Sequence, residues 1–349
     1  MMKYLKLKDK SEADTNTPER ITNDTVAEHR EKILAGGRKY KYPRQYQKHR
    51  LVLVSIGVVI VALVLLAVLS WHQLYIAQNT SGILYRVTQI IPVSVASVNG
   101  EPVRYSDYLM RYRSSMYYYQ QYNSLNENTA DGKRQSEYTK RKELTSSERF
   151  SFARQIAREK KIKVSDQDID ALIEADIQAQ GVSMQAYERT VLRSYFNWSL
   201  GEYRDIVRDR IALREVSFYI DTNAKQRINN IRRSATSGVD FQLLAREQSD
   251  DILVVKSNGG DAGVMPRGNL DADGLIAAAA NLEPNQISDI IRATDAYYII
   301  KLISKTSDTV HFYRIRVGLT EFEDRFKKLQ TDGKIKEYIH INSTDTERR

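Results

Sequence analysis

Three patterns of hydrophobic and polar residues follow one another along the chain. An unbroken apolar run occupies residues 51–69. Over residues 94–213, apolar side chains recur mainly at helical spacing, and Ser or Thr stands at several predicted helix starts. From about residue 214, short β-rich runs alternate with helical ones. The pattern therefore predicts a membrane helix, then a mainly helical module, then an α+β domain.

The apolar run at 51–69 has the length and composition of a transmembrane helix. It contains no charged residue, and Ser55 is its one polar residue. Nineteen helical residues span about 28 Å, close to the ~30 Å hydrocarbon core of a bilayer. A cleaved signal peptide has a shorter leader and a shorter apolar core. We therefore interpret residues 50–71 as a retained signal anchor.

Charge on either side of this anchor predicts its orientation. Six Lys or Arg residues and no acidic residue lie between 38 and 50. By the positive-inside rule, residues 1–49 are a basic cytoplasmic tail, of which we expect residues 1–37 to be flexible. Residues 72–93 form a juxtamembrane segment, and everything after them is extracytoplasmic. The predicted location is thus the cytoplasmic membrane, with a single span.

Composition excludes several classes of function. The net charge is +9, but residues 1–50 alone hold 13 Lys and Arg against 7 Asp and Glu, so little basic excess remains in the body of the chain. We therefore expect no nucleic-acid partner. The chain has no Cys, which excludes disulfides and thiolate metal sites, and its five His residues show no ligand spacing. We expect no metal and no cofactor.

The helical module is predicted to begin with a β-hairpin around Asn99-Gly100, a dipeptide typical of tight turns. Ser106 follows as the expected N-cap of a helix that reaches about Tyr122. The polar residues 123–144 are predicted to form a loop or a loosely held hairpin of helix ends. Three further helices are expected, with start signals at Thr145, Ser165 and Ser199.

Tyrosine is concentrated in the first helix of this module. One interpretation is that part of the stripe is core and part is amphipathic surface. The alternative is an adhesive cradle for unfolded chains. The residues concerned are Tyr105, Tyr108, Tyr112, Tyr117, Tyr118, Tyr119 and Tyr122.

The region 214–305 is predicted to fold in the order β-α-α-(Gly loop)-α-β-β. The strands are expected at 216–220, 287–291 and 297–302, and a Gly-rich loop surrounds Gly259-Gly260. A further strand, a helix and another strand are predicted within 306–349. We expect this last segment to return to the helical module.

Four segments of this region resemble the parvulin-type (PpiC) peptidyl-prolyl isomerases, specifically the SurA and PrsA branch. They are residues 240–251, 258–270, 282–288 and 296–302, which stand in the family's order and spacing. Residues 94–213 are similar to the SurA-type N-terminal chaperone region. The resemblance implies an α+β fold, with a SurA-like helical module followed by a parvulin-like domain.

The resemblance also implies a site. Parvulins use two facing His residues, an Asp or Cys, and a Met and a Phe that hold the proline ring. In this chain Asp251 matches the Asp or Cys, Tyr298 takes the second His position, and Ser217 or Phe218 takes the first. The implied catalytic residues are Asp251, Tyr298 and Ser217, and the implied substrate-binding residues are Leu270, Leu275 and Phe218.

The implied function is a membrane-anchored, extracytoplasmic peptidyl-prolyl isomerase and foldase. Its partners would be unfolded, newly exported polypeptides that contain Pro, together with membrane lipid around the anchor. Replacement of both His residues predicts weak isomerase activity. A parvulin-like holdase without catalysis and a structural scaffold in a membrane complex are the alternatives.

Overall fold

The structure, a computed structural model, describes residues 21–41, 43–269 and 271–341. Leu270, one of the implied substrate-binding residues, lies outside this described part. The chain divides into two compact units, Met1–Trp71 and His72–Arg349.

The first unit contains two helices, α1 (Asn23–Lys41) and α2 (Pro43–Trp71). The prediction of a flexible tail is therefore wrong for residues 23–37, which lie in α1, where residues with high helix propensity such as Ala, Glu and Lys outnumber breakers. Among the described residues, the helical stretch Arg50–Ile76 is long and apolar enough to cross a membrane. It contains the predicted anchor.

The second unit begins with a one-turn π-helix, His72–Ile76, and contains the helical module. A three-stranded antiparallel sheet of order β2-β1-β7 packs against the module's helices. The β1–β2 hairpin is as predicted, and β7 shows that the end of the chain returns to this module. The strands are β1 (Ser94–Val98), β2 (Glu101–Arg104) and β7 (Ile335–Glu337).

The main helices of this module enclose a core of buried Tyr, Leu and Ile side chains. Short helices and a π-helix, Tyr187–Arg193, connect the last two long ones. The helices are α3 (Gly82–Ile90), α4 (Tyr105–Tyr122), α5 (Ala130–Glu159), α6 (Asp166–Gln180), α7 (Met184–Ala186), α8 (Ser194–Phe196) and α9 (Leu200–Ile220).

Helix α5 corrects two predictions, the loop at 123–144 and the helix start at Thr145. The helix begins 15 residues earlier, where Thr129 caps it by accepting from Gly132 N. Its polar first half is rich in Lys, Arg, Glu and Gln, which have high helix propensity even without an apolar stripe. Glu148 is consequently buried in mid-helix instead of closing a capping box. The predicted N-caps Ser165 and Ser199 are confirmed for the starts of α6 and α9, and each is part of a capping box.

The rest of the second unit is an α+β domain built on a four-stranded antiparallel sheet of order β3-β6-β5-β4. Helices pack on both faces. The strands are β3 (Asp261–Pro266), β4 (Ile291–Arg292), β5 (Ala296–Lys305) and β6 (Thr309–Gly318). The helices are α10 (Thr222–Thr236), α11 (Phe241–Gln248), α12 (Leu253–Ser257) and α13 (Leu275–Ala280). Helix α14 (Glu321–Thr331) follows β6 and packs into the core of the helical module through Phe322 and Phe326.

The predicted first strand, 216–220, is wrong, because helix α9 continues to Ile220. Helical spacing sends Val216 and Ile220 into the core of the helical module, whereas Phe218 packs into the core under the sheet. The place beside β5 is taken by β6, which pairs with it along its whole length. A domain boundary at 305 would therefore remove a central strand.

Candidate functional site

One face of the four-stranded sheet carries a cluster of polar side chains. Tyr298 of β5 lies directly opposite Arg316 of β6 in the antiparallel register. Arg314 is two residues away on β6 and therefore projects from the same face. Helix α13 covers the neighbouring apolar part of this face, where Ile300 and Phe312 are buried. The polar cluster thus adjoins an apolar core on a rigid sheet.

Asp251 joins the cluster through Arg314. Arg314 Nε donates to Asp251 Oδ2 at 2.6 Å, and Arg314 Nη2 donates to Asp251 Oδ1 at 3.0 Å. The Asp251 side chain is 4% exposed and that of Arg314 is 21% exposed. A two-point contact of this kind fixes both orientation and distance. The carboxylate therefore holds the guanidinium at one place on the sheet.

Backbone contacts hold Asp251 at the open edge of β6. Beyond the last residue that pairs with β3, the segment after α11 runs along this edge. Asp250 N donates to Arg316 O at 2.8 Å, and Arg316 N donates to Ser249 Oγ at 3.0 Å. Because Ser249 is buried, these bonds are shielded from water. The segment acts as a partial strand that positions the carboxylate.

The Gly-rich loop completes the edge. Arg314 N donates to Gly260 O at 2.7 Å. Gly260 has φ +85°, and a Cβ there would lie 2.4 Å from the Arg314 carbonyl oxygen. Only glycine allows this approach. Gly260 therefore helps to hold the backbone of Arg314 in place.

The other half of the cluster contains Arg316, Asp295 and Tyr298. Arg316 Nη2 lies 2.8 Å from Asp295 Oδ2, in the turn before β5. Burial lowers the pKa of Arg316, but the hydrogen bond to Asp295 and the charge of that carboxylate, with the Tyr298 hydroxyl nearby, more than offset this, so the pKa lies above its ordinary value. Burial, with Asp273 nearby, raises the pKa of Tyr298. The phenol therefore keeps its proton at neutral pH.

The structure brings together two of the three implied catalytic residues. Asp251 is hydrogen-bonded to Arg314, Tyr298 lies opposite Arg316 across the two strands, and Asp251 and Tyr298 interact electrostatically. Ser217 is not with them, because it lies on helix α9 and its hydroxyl donates to Leu213 O at 2.8 Å.

Phe218 and Leu275, the two implied substrate-binding residues that the structure describes, do not form an open pocket with this cluster. Phe218 is buried on α9, with its ring 4.8 Å from that of Tyr297, which points to the opposite face from Tyr298. Leu275 is 3% exposed and packs in the core beneath α13. Leu275, which stands at a position of the family's proline pocket, is therefore a core residue in this structure.

Arg314 and Arg316 are the functional candidates that sequence reasoning missed. The run 310–317, VHFYRIRV, alternates arginine with apolar residues, which is the signature of a strand with two different faces. That alternation was sufficient to place both guanidiniums on one face. It could not show that the strand belongs to this sheet.

An exposed apolar surface adjoins the cluster. Ile252, Leu253 and Val254 follow Asp251 directly, and all three are exposed, Leu253 at 79%. Exposed aliphatic side chains in succession are typical of an interaction surface. A second surface lies in the helical module, where the Tyr122 and Tyr195 rings stack at 4.7 Å and both are exposed. The tyrosine stripe is thus partly core and partly surface, as one interpretation predicted.

In a comparison with known proteins, two family models match parts of the chain. The family described as a SurA-like N-terminal domain matches residues 41–217, and the family described as a rotamase, PPIC-type PPIASE domain, matches residues 215–304. The chain is similar to "Foldase protein PrsA 2" of Bacillus anthracis, at 25% identity over 161 residues. It is also similar to the protein of the same name from Bacillus cereus, at 24% identity over 165 residues. Each match covers 42% of this chain and 56% of the relative, so the chain spans about half the length of these curated relatives.

Proposed function

This chain belongs to the family of proteins with a SurA-like N-terminal domain, and from that membership we propose that it is a peptidyl-prolyl cis-trans isomerase and foldase for unfolded exported polypeptides. The observation that carries the proposal is the cluster of Asp251, Arg314, Arg316 and Tyr298 on a PPIC-type domain. The sheet domain that holds it extends to Gly318, since β6 contributes both arginines.

The chemistry asked of such a site is modest. Rotation about an X–Pro bond meets a barrier of about 18–20 kcal/mol, because the planar amide loses its resonance. In the twisted form the prolyl nitrogen regains a lone pair that can accept a hydrogen bond, which the planar amide nitrogen cannot do. A donor aimed at that nitrogen therefore stabilises the transition state and not the ground state. No covalent intermediate or cofactor is needed.

The cluster offers donors of this kind. The Tyr298 hydroxyl remains protonated, because burial raises the pKa of its phenol. The Arg316 guanidinium carries a permanent charge and lies beside it. We assign Tyr298 as the donor to the twisted prolyl amide and Arg316 as the group that orients Tyr298. Asp251 acts through Arg314, whose charge it neutralises and whose position it fixes.

We further propose that the protein is anchored in the cytoplasmic membrane by the apolar helix, with its folded unit outside. The length and composition of the helix and the basic residues before it support this topology. An anchored foldase would meet exported chains as they leave the membrane. Lipid around the anchor is then a permanent partner.

A second candidate function is that of a holdase, which binds unfolded chains without isomerising them. Two exposed surfaces favour it, the apolar run beside Asp251 and the stacked Tyr122–Tyr195 pair. Burial of Leu275 also favours it, since it leaves one apolar side chain fewer to receive a proline ring. Aromatic rings bind extended, proline-containing segments well because such segments are already stiff.

A protease-free isomerisation assay, such as NMR exchange on a short X–Pro peptide, distinguishes the two functions. The full chain in detergent should accelerate exchange, and Arg316→Met should reduce that acceleration at least about tenfold. Arg292→Met is the matched control, because Arg292 stacks on Phe218 away from the cluster. Suppression of client aggregation without any acceleration by the wild type would support the holdase instead.

A further inference from the structure

The first folded residues after the apolar helix present another apolar surface, distinct from the two described above, which the proposed isomerase does not use. Ile76 ends the π-helix and is 60% exposed. Ile83 and Ile90 of helix α3 are 77% and 82% exposed, among the most exposed large apolar residues in the described part of the chain. Their exposure to water is unfavourable unless something covers them.

Helix α3 has two distinct faces. Its inward face bears Leu84, Tyr85 and Thr88, which pack toward the helical module and α4. Its outward face bears Ile83 and Ile90, seven residues apart and thus on one side of the helix. Arg86 lies exposed between them on the same side. A short helix with isoleucines and a cation on its free face is suited to a bilayer interface, where the apolar groups enter the acyl boundary and the cation meets lipid phosphate.

Chain connectivity restricts what can cover this face. Leu69 ends the unbroken apolar run of the predicted anchor, and Leu74 is already buried in the core of the folded unit. Tyr105 Oη fixes it there by donating to Leu74 O at 2.7 Å, and Tyr75 Oη donates to Ser94 O at 2.7 Å. Five residues reach at most about 18 Å, even when fully extended. The folded unit is therefore held at the membrane surface by its own first residues, and Ile76 is two residues beyond the buried Leu74.

We propose that Ile76 and the outward face of α3, formed by Ile83, Arg86 and Ile90, rest in the outer interface of the same membrane that the chain spans. The occupant of this face is lipid, and Arg86 favours anionic headgroups. This inference rests on the proposed membrane anchor. Docking of the helix would fix the height and tilt of the foldase above the bilayer, in addition to the covalent tether.

The absence of Cys from the chain makes the test direct, because each introduced cysteine is unique. The full chain is reconstituted into phosphatidylcholine vesicles containing phosphatidylglycerol. Spin labels are attached to Ile83→Cys and Ile90→Cys, with Leu253→Cys as an equally exposed control outside α3 and Val59→Cys as a reporter of the span. Accessibility to oxygen and to a water-soluble nickel complex is then measured for each label.

We expect labels at 83 and 90 to be accessible to oxygen and protected from nickel, whereas the label at 253 is accessible to nickel. Arg86→Gln should reduce the nickel protection at 83 and 90, and the reduction should be smaller in vesicles without phosphatidylglycerol. Nickel accessibility at 83 and 90 would overturn the proposal. Protection from both reagents would also overturn it, since that indicates contact with protein, such as a second copy of the chain.

The label at 59 distinguishes a failure of α3 docking from a failure of the membrane anchor. If it is immersed in lipid while 83 and 90 are in water, the anchor stands and the docking of α3 is wrong. If the label at 59 is itself in water, the anchoring proposal is wrong.

Discussion

Arg314 and Asp251 are 63 residues apart in sequence, yet two hydrogen-bonded contacts of 2.6 and 3.0 Å join their side chains. The contact connects β6, the last strand of this sheet along the chain, to the segment that follows α11. Since Arg316 lies two residues farther along the same strand, the pair also fixes the position of the group that lies opposite Tyr298. The support of the site is thus contributed by β6, which lies outside the four segments that resemble the parvulin family.

Removal of the Arg314 guanidinium should reduce the stability of the fold, because the Asp251 carboxylate that it contacts is almost fully buried. Arg314→Ala leaves Asp251 without its guanidinium, and we expect the free energy of unfolding to fall by about 3 kcal/mol. Chemical denaturation of the full chain in detergent, followed by tryptophan fluorescence or circular dichroism, measures this change.

The control for this substitution is Arg325→Ala. Arg325 also pairs with a carboxylate, Glu321, but both side chains are largely exposed, so no measurable loss is expected. Equal effects of the two substitutions would show that the Asp251–Arg314 contact does not stabilise the sheet domain.

Gly260→Ala should disturb the same edge of the sheet by a different route. The new Cβ would lie 2.4 Å from the Arg314 carbonyl oxygen, in a backbone conformation that non-glycine residues rarely adopt. We expect a loss of about 3 kcal/mol in the free energy of unfolding, from strain and displaced backbone together. Gly263→Ala separates the two causes, because Gly263 has a similar φ of +79° but open space around it. Its cost should be about 1 kcal/mol. A Gly263 variant as unstable as the Gly260 variant would contradict the close approach.

Sequence patterns predicted elements well where local signals decided the structure. The helices that start at Ser165 and Ser199 were predicted because a side-chain cap is a local device. The strand at 216–220 was wrong because its β-branched and aromatic residues are also compatible with a helix that serves two cores. Tertiary contacts decide which strand occupies the centre of a sheet. Here it is β6, which lies after the domain boundary expected at residue 305.

The candidate site shows the same division. Asp251 and Tyr298 were identifiable because a family pattern surrounds each of them. Ser217 was assigned to the site by matching the family's first His position within a segment predicted as a strand, but the segment is a helix that directs the Ser217 hydroxyl to a backbone carbonyl. Arg314 and Arg316 have no counterpart in the pattern, so their role depends on strand pairing that sequence spacing does not reveal.

Glu148 predicts a pH dependence of stability. Its side chain is buried on α5, and burial, with Glu337 adding to it and Arg141 opposing it, raises the pKa of the carboxyl to about 8. The folded state thus holds a proton that the unfolded state releases above about pH 4.5. Stability from this group is present at low pH and is lost as the pH rises to about 8.

The magnitude of this effect is accessible from a single substitution. Between pH 5 and pH 8 the wild type should lose about 3 kcal/mol relative to Glu148→Gln, whose neutral amide cannot titrate. Denaturation curves of both proteins at several pH values give the difference. Parallel pH profiles would mean that the Glu148 carboxyl is ionised in the folded protein.

The most direct test of the central claim compares two neighbouring tyrosines of β5. Tyr298 and Tyr297 are equally buried, but Tyr298 faces Arg316 and Tyr297 faces the opposite core. The measurement is kcat/KM for X–Pro isomerisation by the full chain, for the wild type, Tyr298→Phe and Tyr297→Phe. Loss of the Tyr298 hydroxyl should lower kcat/KM roughly a hundredfold, whereas Tyr297→Phe should leave it within about twofold of the wild type. Robust wild-type activity that Tyr298→Phe leaves unchanged would contradict the assignment of this cluster as the isomerase site.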